Sequence, residues 1–408
     1  MKKIARITGV LSLIIGLCSG LMSCTEGDRF DYDKEAILMT GTEVNPMVRF
    51  VVENTPSTYN VTASATGKVE EDVTINFAYD QSKLDAYNTA NNTNFYAVPN
   101  GSIIVEGSSG VIKAGSASST GVQVRVVSTD EFIDGRTYVI PVSITQVSGG
   151  NMQVLESART IYLRISRVSN FHSLDMNNTA LYSNFIFEDS KAVNLDKYTY
   201  EVRCFINDWH TTPEPISRLV SFTSKDEQRS NMLRFGENGQ AINSLQWVNP
   251  GGSLISKTRF NTGQWYTISL SYDGTRFTMY VDGVKDSEMA GSGNVTFQRF
   301  ELGMSWANYP SMQYFNGRIA EARVWNKALT SGEIQNGICG VDPTSEALVA
   351  YWKLNEMDGF IFHDATGKGY DMDWSKTVRD NAGNGVLNAF DKRGAVRWLL
   401  DEKNKCTQ

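Results

Sequence analysis

Trp265-Tyr-Thr-Ile-Ser-Leu-Ser-Tyr272 runs into Asp273-Gly274, then Arg276-Phe-Thr-Met-Tyr-Val281, then Asp282-Gly283. Large apolar residues alternate with Thr and Ser, the period-two pattern of a strand with one face buried. Asp-Gly is a pair that closes a tight hairpin, because Gly accepts a positive φ. The stretch therefore predicts a three-stranded antiparallel meander. Tyr198-Thr-Tyr-Glu-Val-Arg-Cys-Phe-Ile206 alternates in the same way, and most of the tryptophans lie between Phe171 and about Leu400.

Upstream the texture changes. From about Ala36 to Ile165 the runs are shorter and separated by Gly, Asn and Ser: Val73–Tyr79, Gly101–Val105, Gly121–Val127, Tyr138–Ile144 and Thr160–Ile165. So many half-buried strands at such spacing predict a β-sandwich. One helix interrupts them, with Asp80 as its cap, Leu84 and Tyr87 on its length and Asn91-Asn92 at its end. The chain reads as all-β, with a β-sandwich over 36–166 and a second, larger β-domain with a C-terminal extension over 167–408.

Met1-Lys2-Lys3 and Arg6 precede an apolar run from Ile7 to Leu17, too short to cross roughly 30 Å of hydrocarbon as a helix. Leu21-Met22-Ser23-Cys24 then resembles the lipobox of bacterial lipoproteins, which implies a signal peptide over 1–23 and a lipid on Cys24. Residues 24–35 form an acidic tether, with Glu26, Asp28, Asp31 and Asp33. That acidic stretch resembles the surface-export signal of Bacteroidetes lipoproteins and implies a lipid anchor in the outer membrane, facing outward.

The whole chain carries 38 bases and 45 acids. Removing residues 1–23 takes away three bases and no acid, for a net charge of about −10. Such a surface has no electrostatic reason to seek nucleic acid. Behind Cys24 stand only Cys204, Cys339 and Cys406. That number permits one bridge at most, and no CxxC or Cys/His spacing suggests zinc.

Two resemblances sharpen the domain reading. Asp80-Gln-Ser-Lys-Leu-Asp-Ala-Tyr-Asn-Thr-Ala-Asn91, Tyr96-Ala-Val-Pro99, Ile112-Lys-Ala-Gly115 and Tyr138-Val-Ile-Pro-Val142 resemble the small β-sandwich domain of unknown function that stands behind the lipobox in Bacteroidetes outer-membrane lipoproteins. The resemblance implies a spacer or accessory module in glycan-uptake machinery, and no chemistry. Gly263-Gln-Trp265, Tyr280-Val-Asp-Gly283, Phe315-Asn-Gly-Arg-Ile-Ala-Glu-Ala-Arg-Val-Trp325, Ala328-Leu329 with Glu333-Ile334, Tyr351-Trp-Lys-Leu-Asn-Glu356 and Asp364-Ala-Thr-Gly-Lys-Gly369 resemble, in order, the laminin-G-like or concanavalin A-like jelly roll. That fold implies binding of sugars or protein surfaces.

Enzymatic signatures are absent. Retaining glycosidases of this fold place two carboxylates on one strand as ExDxxE or ExDxE, so that both enter one cleft; no such spacing occurs. His172, His210 and His363 belong to no nucleophile motif, and HExxH, Walker A and GxGxxG are missing. No cofactor is required by any motif. Ca²⁺ is the one candidate, with Asp364, Asn355 and Asp371 as ligands, against the alternative that Asp364 caps its own turn.

A pyranose offers an apolar face to an aromatic ring and hydroxyls to amides and carboxylates. Trp265, Trp325 and Trp352 fall inside strands at the phase of core residues. Trp209 stands in Asn207-Asp208-Trp209-His210, a polar segment after a strand. Trp306 stands with Asn308, Tyr309 and Tyr314 in another aromatic segment, and Trp247 precedes Pro250-Gly-Gly252. These residues are the candidate glycan-binding set. The expectation is a non-catalytic surface glycan-binding lipoprotein of a polysaccharide or glycoprotein-glycan uptake system, holding oligosaccharide near an outer-membrane transporter complex of the starch-utilisation type. A protein-binding adhesin or scaffold, and a glycoside hydrolase with carboxylates assembled from different strands, are the alternatives.

Overall fold

The Trp265–Tyr272 strand pairs on one side with Arg276–Val281 and on the other with Tyr198–Ile206, and Arg276–Val281 pairs with Val284–Ala290. Asp282 and Gly283 both take positive φ, the geometry the tight turn demands. This computed structural model describes residues 35–176, 183–209, 211, 215–226, 231–237, 239–303, 313–359, 361–373 and 397–407. Cys24 and its signal peptide lie outside the described residues.

The fold is all-β, as the alternation requires. In the larger domain the meander extends through Gly317–Trp325 and Leu348–Trp352, and packs face to face against a six-stranded sheet. Tyr200, Val202, Ile268 and Leu270 meet Phe222, Leu233 and Trp247 in one apolar core. The helix Ser331–Gly337 starts in a capping box, Thr330 accepting from the Glu333 N–H while Glu333 accepts from the Thr330 N–H. It covers a smaller cluster of Trp325, Leu329, Ile334, Leu348 and Tyr351.

The first domain has its own core, including Phe50, Val61, Ile75, Phe77, Val124, Ile140 and Leu163. Its helix spans Ser82–Asn91. Asp80 accepts from the Ser82 N–H and hydroxyl, and Asn92, at a φ of 51°, ends the helix.

One strand joins the two domains. Thr160–Asp175 pairs through its first half with Tyr138–Ser148 and Met47–Val52, and through its second half with Trp398–Thr407 and Gly317–Trp325. At about 3.3 Å per residue these 16 residues run roughly 50 Å. The expected boundary at 166/167 falls inside this strand. Side chains add a clasp. Arg136 Nε donates to Asp342 Oδ2 at 2.6 Å, the Tyr96 hydroxyl donates to the same oxygen at 3.4 Å, and Asp134 accepts from both Arg167 and Lys353 at 2.8 Å. Gly135, at a φ of 76°, sits against the Val341–Asp342 backbone so tightly that a Cβ would lie 2.3 Å from the Asp342 nitrogen. The first domain is therefore docked on the second by strand pairing, ion pairs and backbone contact.

Candidate functional site

Three connecting segments meet at one end of the jelly roll. The Tyr198–Ile206 strand points Tyr198, Tyr200, Val202, Cys204 and Ile206 into the core, and the chain leaves the sheet as Asn207-Asp208-Trp209. The N–H groups of Asn207 and Asp208 both donate to the Asn316 carbonyl, at 3.0 and 3.4 Å, and the Gly263 N–H donates to the Ile206 carbonyl at 2.8 Å. Gly317 permits the approach, since a Cβ there would lie 2.1 Å from the Phe205 carbonyl oxygen.

Within this rim the exposed Asp208 carboxylate accepts from the Trp209 N–H at 2.8 Å. The Trp209 ring is half-buried, edge-on to Phe235 with centroids 5.1 Å apart. Tyr314 and Asn316 are half-buried on the facing segment, and the Asn316 Oδ1 atom is buried with no hydrogen-bond partner. The structure thus brings the Asn207 and Asp208 backbone onto Asn316, with Trp209 next in the chain to Asp208 and Tyr314 two residues before Asn316. His210, Trp306, Asn308 and Tyr309 lie outside the described residues.

Trp247 is a correction. It has 0 % exposure and belongs to the strand Ser244–Asn249, not to a loop. Its indole N–H donates to Asn231 Oδ1 at 3.0 Å and its ring meets Phe277, so no face is left for a ligand. The turn begins one residue beyond the strand, at Pro250, where Asn249 Oδ1 accepts from the Gly251 N–H. Trp352 is fully buried in the main core, but Trp265 and Trp325 point to the opposite side of their sheet. Trp325 is enclosed by the smaller cluster, and Trp265 is only half-buried beside Phe171, Phe205 and the Arg203 and Arg318 guanidiniums.

The calcium candidates are also corrected. Asp364 is buried, and its two oxygens accept from the backbone N–H groups of Tyr351, Thr366, Lys368 and Tyr370 and from the Thr366 hydroxyl. A carboxylate so occupied caps its own turn and has no lone pair directed outward for a cation. Asp371 Oδ1 accepts from the Asp364 N–H, Asn355 is exposed, and among the described residues no three acidic, His or Cys side chains are placed to hold a metal. Cys204 is a free buried thiol, pushed above its ordinary pKa by burial, while Cys339 is disulfide-bonded.

Carboxylates from different strands do come together, around Arg323. This guanidinium pairs with Glu321 and, at 3.3 Å, with Glu201, and both acids are largely buried. Glu201 also accepts from the Trp325 indole at 2.8 Å and from the Ser269 hydroxyl at 2.9 Å, and Glu321 accepts from the Tyr351 hydroxyl. Burial alone would lower the Arg323 pKa, but the two acids and Tyr351 raise it overall. A permanently charged arginine between two acids makes an ion triad.

Sequence reasoning missed the outer face of the six-stranded sheet. Arg218, Arg234 and Gln246 are cross-strand neighbours, as are Ser221 and Glu301, and Thr223 and Arg299. Arg299 donates to Glu301 at 2.6 Å and Arg234 to Gln246 at 2.7 Å. Arg218 engages the Gln313 side chain, and its N–H donates to the Gln313 carbonyl at 2.8 Å, so this buried polar row runs directly under the rim. The available signal was alternation of Arg, Ser, Glu and Gln with apolar residues.

Residues 179–335 match the family described as the concanavalin A-like lectin/glucanases superfamily, of laminin-G type, and residues 32–151 match a family described as an N-terminal domain. No curated protein matches the chain. A candidate carbohydrate-binding protein from Bacteroides ovatus is 20 % identical with a TM-score of 0.61, over 82 % of this chain and 94 % of that one. A two-domain protein of unknown function from Bacteroides fragilis is 12 % identical, over 72 % and 95 % of the chains, with a TM-score of 0.28. Domain 4 of an extracellular arabinanase from Geobacillus stearothermophilus, in complex with arabinotriose, is 21 % identical, over 35 % and 67 %, with a TM-score of 0.27. The larger domain thus carries, over residues 179–335, the match to the laminin-G type of the concanavalin A-like lectin/glucanases superfamily, and a second, N-terminal domain precedes it in the chain.

Proposed function

We propose that the protein is a non-catalytic glycan-binding lipoprotein, held by lipid on Cys24 at the outer-membrane surface, in a polysaccharide or glycoprotein-glycan uptake system. The observation that supports this reading is the meeting of the Asn207-Asp208-Trp209 segment with Asn316 at one rim, on a segment that also carries Tyr314. Aromatic rings there lie beside amides and a carboxylate, the pairing that a pyranose face and its hydroxyls require. The two-domain likeness to a candidate carbohydrate-binding protein of Bacteroides ovatus supports the same reading. So does the Glu201–Arg323–Glu321 triad, in which this one cross-strand pair of acids is engaged by an arginine.

Capture near an outer-membrane transporter needs only modest affinity, because the anchor keeps local concentration high. A glycan array with the mature chain, followed by calorimetry with the glycan it selects, tests the reading. Trp209→Ala is expected to weaken binding at least tenfold; full affinity in that variant would place the site elsewhere.

A further inference from the structure

We propose that the cleft between the two domains is a second saccharide site, selective for neutral, hydroxyl-rich chains. The inference rests on the glycan-binding reading above and extends it to a surface that the N-terminal domain helps to build. The cleft has a volume of 590 Å³, within the roughly 300–1,000 Å³ range of ligand pockets. Asn94, Tyr96 and Thr137 of the first domain face Trp325, Asn336 and Ser345 of the second across it. The half-buried Tyr96 ring supplies apolar surface for the CH face of a sugar, Trp325, enclosed by the smaller cluster, forms part of the floor, and the amides and hydroxyls supply two-way hydrogen bonding for the sugar's edge.

The walls are preorganised. Trp325 is held by its indole bond to Glu201, and Tyr96 is covered on one face by the Arg136 guanidinium, 4.6 Å from the ring centroid. The Arg136–Asp342 ion pair and the shared strand Thr160–Asp175 fix the two sides relative to each other, so binding pays little for ordering them.

Charge sets the selectivity. Four acids line the cleft: Glu201 pairs with Arg323, Glu333 with Lys327 and Asp342 with Arg136, while Glu346 stands exposed. The residual charge is negative, which repels uronates and sialylated chains. The cleft and the rim sit at opposite ends of the strand Gly317–Trp325, about 25 Å apart at 3.3 Å per residue. One long glycan chain can then engage both.

Calorimetric titration of the mature two-domain chain with mannopentaose and with maltohexaose, and with tetragalacturonate as the anionic probe, tests the proposal. The expected result is two classes of site for a neutral probe and at least tenfold weaker binding of tetragalacturonate. The double variant Asn94→Ala/Asn336→Ala changes two exposed side chains and should keep its melting temperature while losing one class, leaving the class sensitive to Trp209→Ala. A single class, lost in Trp209→Ala and untouched by the double variant, would overturn the cleft and leave the rim standing. A single class lost in the double variant and kept in Trp209→Ala would uphold the cleft and overturn the rim. No binding of either neutral probe would overturn both.

Discussion

Arg136 in the N-terminal domain donates its Nε–H to Asp342 in the laminin-G-like domain at 2.6 Å, and both side chains are mostly buried. The pair lies beside Gly135, whose backbone touches residues 341 and 342. A Cβ at 135 would collide with that backbone and strain a φ of 76°. Gly135→Ala is therefore expected to cost about 2 kcal/mol or more, against about 1 kcal/mol for Arg136→Ala. Denaturant unfolding with limited proteolysis checks this: equal stability and unchanged cleavage in Gly135→Ala would show that the domains are not docked there.

Acid should loosen the same contact. Burial pushes the Asp134 carboxyl up, but Lys353 and Arg167 together hold it below its ordinary value of 3.8; for Asp342, burial is likewise outweighed by Arg136 and Thr344. A carboxyl depressed in the folded state adds stability that is full above 3.8 and disappears as the pH falls through the folded value. Melting temperature should hold steady from pH 7 to about 5 and drop below about 4, with a shallower drop in Asp134→Asn. An identical acid limb in that variant would remove Asp134 from the explanation.

The two polar-neighbourhood tryptophans should separate cleanly. Trp247→Ala empties a fully buried site and removes one of the two donors to Asn231 Oδ1, the Tyr198 hydroxyl remaining, for a loss of about 3 to 5 kcal/mol. Trp209 is half-buried on Phe235, so Trp209→Ala should cost about 1 to 2 kcal/mol of stability. Chemical denaturation of both variants measures the difference, and a Trp247→Ala protein as stable as Trp209→Ala would contradict the core assignment.

Arg323→Met should be among the most damaging substitutions on the outer sheet face. It strands Glu201 and Glu321 in a buried setting, at a cost of about 3 to 5 kcal/mol. Adding Glu201→Gln should recover part of that loss. If the single variant unfolds at wild-type denaturant concentration, the triad does not stabilise the domain.

The anchor is tested apart from the fold. Cys24→Ala is expected to abolish lipid labelling and shift the protein from membrane to soluble fractions, and continued labelling would exclude lipidation at Cys24.

Local pattern was enough for the strands. Tyr198–Ile206, Trp265–Tyr272 and Arg276–Val281 appear with the bounds that alternation predicted, because a pleated strand writes its buried face into every second residue. The Asp-Gly turns and the Thr330–Glu333 cap are equally local, each decided by a few consecutive residues. Alternation could not say which side of a sheet faces the main core: Trp325 packs as expected, but in the smaller cluster on the other side, where Trp265 is only half-buried. Nor could it tell that a strand continues to Asn249, which turned Trp247 from a loop aromatic into a core one. Meeting of Asn207 with Asn316, of Glu201 with Arg323 and of Arg136 with Asp342 joins residues 109, 122 and 206 positions apart. Such contacts follow from strand order and from the path of one shared strand, which side-chain periodicity does not encode; only the tertiary structure decides them.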